Sequence, residues 1–115
     1  MLYSEPQKVR WSFVRDRNNV VFRVIERQVH AFSTHIILES GEDVNEVDYY
    51  PIKHVFTRKK PRKGYRLEGI LDEENSISTS PVEEILRKSF DWKNRIRYFL
   101  VKTESGSYYS AEVQI

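Results

Sequence analysis

There is no cysteine in this chain of 115 residues, and that one absence removes disulfide frameworks, thiolate catalysis and zinc fingers or knuckles together. Glycine and proline are scarce, four of each, which argues against a low-complexity polymer and leaves few flexible joints. No run approaches the roughly eighteen apolar residues that a membrane span needs. The opening MLYSEPQKVRW has neither the basic nor the apolar region of a secretory leader, so a cytoplasmic protein without a membrane partner is expected. A large excess of one charge is also missing: 19 Lys and Arg face 17 Asp and Glu, a net +2. Bulk charge therefore does not announce a nucleic-acid partner, and distribution must decide. A Gly-x-Ser-x-Gly elbow and a Gly-rich phosphate loop are absent as well, so no cofactor is expected.

What is present is aromatic and strand-like. Phe, Trp and Tyr make up 13 % of the chain, enough for a packed interior in a single domain spanning 1–115. Val9, Trp11 and Phe13 alternate with polar neighbours, turn formers follow at Asp16–Asn19, and Val20, Phe22 and Val24 alternate again; each is the period of a half-buried strand. THIILE and IKHVFT continue the pattern, and Tyr65, Leu67, Gly69 and Leu71 resume it beyond a basic stretch. That spacing places RKKPRKG, residues 58–64, at the tip of a hairpin. RIRYFLVKT and SYYSAEVQI, joined by Glu104-Ser105-Gly106, predict a final hairpin with Phe99 and Val101 opposite Tyr109, Ala111 and Val113.

One helix is predicted over 81–93. Ser80 stands at the N-cap, Pro81 at the first helical position and Glu83 two beyond, while Val82, Ile85, Leu86 and Phe90 share one helical face. The expected fold class is α+β: one mostly antiparallel, curved sheet of about six or seven strands with this amphipathic helix packed on one face. Its expected core includes Trp11, Phe13, Phe22, Val24, Ile37, Phe56, Leu67, Phe99 and Val101. Residues 72–80 are expected as a mobile connection.

Charge is segregated in blocks. Between Lys53 and Arg66 lie seven basic residues and no acid, whereas Glu39 to Asp48 holds five acids and no base. Lys and Arg neutralise phosphates and release counterions, and exposed aromatic rings stack on unpaired bases. Both RKKPRKGY and FDWKNRIRY have that mixture. The expected nucleic-acid contacts are Arg58, Lys59, Lys60, Arg62, Lys63, Arg66, Lys93 and Arg95 to phosphate, with Tyr65 and Trp92 stacking. The plainer alternative is that hairpin tips carry charge for solubility and that cations at a helix end complement its dipole.

Other readings follow from the residues. The acidic turn with exposed tyrosines, from Tyr49-Tyr50 and Tyr108-Tyr109, would suit a protein partner, as an interaction module or small inhibitor. A metal-free ribonuclease would use His54 as base, Arg58 or Lys60 on phosphate, and Tyr65. No metal site is expected, because His30 and His35 have opposite parity on a continuous strand and would point to opposite faces. An open edge strand would allow a homodimer by sheet pairing.

Overall fold

A computed structural model describes residues 7–70 and 76–115, with side chains over 12–67 and 80–115. The chain divides into two compact units, 1–52 and 53–115. It is nearly all β, 62 % strand and 3 % helical.

In the first unit, β1 (Gln7–Arg15), β2 (Val21–Val29), β3 (Thr34–Leu38), β4 (Asp43–Asn45) and β5 (Tyr50–Pro51) form a sheet of order β4-β3-β2-β1-β5. The β1–β2 turn is made by Asp16, whose Oδ1 accepts from the backbone N–H of Asn18 at 2.8 Å and of Val20 at 3.0 Å. Asn19 takes the left-handed conformation at φ 62°, which its short polar side chain tolerates. Val14, Val24, Ile36 and Leu38 make the buried core, with Phe22, Val44 and Tyr49 packed against it. Both edge strands are short, three residues in β4 and two in β5, which limits pairing with another chain.

The second unit is a closed barrel of β6 (Lys53–Phe56), β7 (Arg66–Ile70), β8 (Ser76–Asp91), β9 (Ile96–Thr103) and β10 (Tyr108–Gln114), in the order β10-β6-β7-β8-β9. Every neighbouring pair is antiparallel except β10 with β6. Its core is Leu67, Val82, Phe99, Val101, Ala111 and Val113, with Ile85 and Tyr109 packed against it. The final hairpin has the expected register, Tyr109 opposite Val101 and Ala111 opposite Phe99. Gly106 supplies its left-handed turn residue at φ 87°.

The predicted α+β class and the helix over 81–93 are overturned: among the described residues there is no helix of seven or more, and two sheets replace one. Residues 81–91 belong to the 16-residue β8. The reason lies in two bulges, between Val82 and Glu84 and between Ile85 and Arg87. Each adds a residue, so Val82 and Ile85 stand three apart yet both face the barrel core; a bulged strand imitates helical spacing. Leu86, expected inside, is 37 % exposed. The capping signals are used otherwise. Ser80 Oγ donates to Ser105 Oγ at 2.8 Å and accepts from Ser105 N–H at 3.1 Å, and Glu83 lies 3.8 Å from Lys102.

Two core expectations also change. Phe56 is 51 % exposed, and Ile36 and Leu38 are buried in place of Ile37. A register shift between Val24 and Glu26 on the neighbouring strand accompanies that change of face. The Trp11 side chain and positions 72–75 of the expected mobile connection lie outside the described residues; Ser76–Ser80 begin β8. Among the described residues no helix is long and apolar enough to cross a membrane.

Leu67→Ala should cost about 2–5 kcal/mol by denaturant unfolding, as a cavity in the barrel core. Leu86→Ala should cost less than Leu67→Ala, about 1 kcal/mol, since a strand position outside the barrel core leaves no enclosed cavity. A second expectation concerns Tyr49, whose ring meets Phe22 edge-on at 5.8 Å. Burial raises its hydroxyl pKa above the ordinary tyrosine value, and the charges of Glu42, Asp16 and Asp48 add to the rise. The folded state thus holds this proton more tightly than the unfolded chain. Its contribution is complete below pH about 10 and is lost as pH climbs through the folded value. Tyr49→Phe should flatten that part of an alkaline unfolding profile.

Candidate nucleic-acid interface

The basic stretch leaves β6 and does not stand out as a bare tip. Thr57 N–H donates to Glu112 O on β10 at 3.0 Å, Gly64 N–H donates to Val82 O at 2.8 Å, and Val82 N–H returns to Tyr65 O at 2.6 Å. The segment therefore spans from β10 to β8 and is tied at both ends, with Pro61 buried between. Gly64 adopts φ 89°, a left-handed backbone that a side chain would strain. Tyr65 N–H closes the last turn onto Arg62 O at 3.0 Å.

Under this segment runs a groove of about 720 Å³ lined by Phe56, Arg58, Lys59, Tyr65, Arg66 and Glu112, among others. Arg62 lies over the Tyr65 ring, 5.1 Å from its centroid, a cation–π contact that holds both groups at the groove's side. Among the described residues, Arg58, Lys59, Lys60, Arg62 and Lys63 make no salt bridge. All five are exposed. The acidic block of the first unit is different. Glu39 meets Arg23 at 3.0 Å, Asp43 meets His35 at 2.7 Å, and Glu46 holds Arg27 by a two-pronged contact of 2.8 and 3.2 Å. The hydrogen bond that Arg27 donates to Glu46 raises the Arg27 pKa, against a lowering by burial.

The groove thus gathers Arg58, Lys59, Tyr65 and Arg66 from the sequence expectation, with Lys60, Arg62 and Lys63 along the exposed segment. Trp92, Lys93 and Arg95 occupy the β8–β9 turn and do not line it. Phe56 and Gln114 do line it, and both escaped sequence reasoning. Phe56 was assigned inward by alternation, and Gln114 arrives through the β10–β6 pairing, which leaves no local signal.

The ribonuclease set is not assembled. Arg58 and Tyr65 share the groove, but neither His54 nor Lys60 is in its lining. His54 instead stands 2.9 Å from the buried Glu112 carboxylate and edge-on to Tyr98 at 6.3 Å. The close approach of Nδ1 is not aligned as a hydrogen bond. His30 and His35, separated by parity on a continuous strand, meet with ring centroids 5.2 Å apart. They are joined by the β2–β3 turn, where His30 N–H donates to Ser33 O at 2.9 Å, so strand parity does not apply across them. Among the described residues no group of three or more metal-ligating side chains converges.

His54→Ala should lower stability by about 1–3 kcal/mol, because it strips the buried Glu112 carboxylate of a neighbour that water cannot fully replace. Chemical unfolding measures this directly. No known protein family, no curated protein and no solved structure matches this chain.

Proposed function

We propose that this protein binds nucleic acid with little sequence preference through the groove under segment 57–65. The observation that carries this reading is the uncompensated charge: five exposed cations without salt bridges among the described residues flank a concave, aromatic-lined surface. Cations left unpaired by their own fold retain their full attraction for phosphate, whereas paired ones must first give up a partner. Arg58 and Lys59 would hold phosphates at the groove, and Lys60, Arg62 and Lys63 would extend the track. Tyr65 and Phe56 offer ring surface to bases. The ties from Thr57 and Gly64 keep the segment in place before a ligand arrives, which reduces the ordering cost of binding.

No recognition helix is available among the described residues, so reading of a duplex major groove by a helix is not part of this proposal. A cysteine-free chain acting on nucleic acid suits a reducing, cytoplasmic setting. The alternative protein-partner role is less favoured, because three of the five acids in its surface, Glu39, Asp43 and Glu46, are answered by Arg23, His35 and Arg27.

A variant with Arg58, Lys59, Lys60, Arg62 and Lys63 all changed to Ser should fold as the parent does and lose binding to labelled oligonucleotides. The parent's log affinity should fall with log salt by roughly 0.7 for each single-strand phosphate contacted, and the variant's line should be markedly shallower. Equal binding by the variant, or no binding by the parent at low salt, would refute the proposal.

A further inference from the structure

The β8–β9 turn carries a second surface that the groove does not include. Trp92 projects from it 82 % exposed. Its ring is held edge-on against Phe90, with centroids 4.4 Å apart, and the Arg97 guanidinium covers Phe90 at 5.8 Å. Phe90 and Arg97 are partners across the two strands, so the support is part of the barrel wall. The turn is fastened as well. Asp91 Oδ1 accepts from Asn94 N–H at 3.2 Å, Asn94 Nδ2 donates to Asp91 Oδ2 at 2.9 Å, and Ile115 N–H donates to Arg95 O at 3.0 Å. A large indole is thereby presented to solvent on a hydrogen-bonded turn, where little further ordering is needed for stacking.

Arg95 is the second observation. Left-handed backbone occurs at five described positions: Gly41, Gly64, Gly106, Asn19 and Arg95. Four hold the residue types that accept this conformation; the fifth holds an arginine at φ 54°. Glycine there would relieve the backbone, and nothing in the turn's own hydrogen bonding needs the guanidinium, since Arg95 contributes its carbonyl to Ile115. An arginine in this conformation beside an exposed aromatic, with a guanidinium that the turn's hydrogen bonds do not use, points to a use for the side chain outside the fold. Neither Lys93 nor Arg95 makes a salt bridge among the described residues.

We propose that this turn is a stacking site for one unpaired base, with Trp92 as the platform and Lys93 and Arg95 on the adjoining phosphates. The proposal rests on the nucleic-acid reading and narrows it: the preferred ligand is single-stranded, because a paired base cannot present its face to the indole. An indole held by Phe90 stacks on any base, so the selection is for strandedness and not for sequence.

The test compares binding of the full chain to labelled oligo(dT) and oligo(U) with binding to a duplex of equal length. The parent should favour the single strands, and ligand should quench a fluorescence component that Trp92→Phe lacks. Trp92→Ala should weaken single-strand binding by about tenfold or more, while Trp92→Phe should keep most of it. Arg95→Gly should melt at the same temperature as the parent or higher, yet bind more weakly with a salt slope shallower by about 0.7. That pairing of gained stability with lost affinity separates a ligand contact from a structural residue.

If Trp92→Ala binds single strands as the parent does while the five-Ser variant does not, the stacking site is wrong and the groove reading stands. If the parent binds no oligonucleotide at low salt, both fall. Trp92-dependent binding to phosphatidylserine vesicles without oligonucleotide binding would assign the turn to a lipid surface and overturn the proposal.

Discussion

The parallel pairing of β10 with β6 is the constraint on which the second unit depends. Five strands joined in a meander alternate in direction, so the first and last run the same way. A ring of five therefore closes only through one parallel pair. Closure removes both open edges from this part of the chain. It also sets Glu112 beside Phe56 and lets Thr57 continue the ladder onto Glu112. From there the basic segment has a fixed point of departure. Its far end is fixed by Gly64, Tyr65 and Val82, and the groove is the space left beneath a strap held at two points.

Electrostatics divides the molecule differently from its net charge. In the first unit, arginine and histidine side chains meet the acidic block within their own sheet. Such partly exposed pairs contribute modestly to stability, and the two arginines offset two of the five acids in that block. The cations at 58–63 have no such partners among the described residues, so attraction for an anion survives folding there. A chain of formal charge +2 can thus carry a strongly cationic site, because the acids that offset these cations lie elsewhere in the sequence.

The two turns that carry candidate contacts show opposite solutions to one backbone problem. Gly64 takes the left-handed conformation without strain, and the loop's cations lie on its neighbours; in the β8–β9 turn the cation itself occupies the left-handed position at Arg95. The first arrangement separates shape from charge. The second concentrates both in one residue and beside one exposed ring.

Strand alternation, the Glu104-Ser105-Gly106 turn and the cationic stretch were legible from the sequence alone, because each rests on neighbours within a few residues. Phe99 opposite Ala111 needed only period two and a glycine turn. The nature of 81–91 was decided by tertiary structure: the three-residue spacing of Val82 and Ile85 fits a helix and a bulged strand alike, and bulges are defined by the partner strand. The groove was likewise beyond local reading, since Glu112 and Gln114 reach Phe56 through a parallel pairing of distant segments. Residue types dictate what a short segment can do; which choice it makes is settled by the long-range hydrogen bonds that no window of sequence contains.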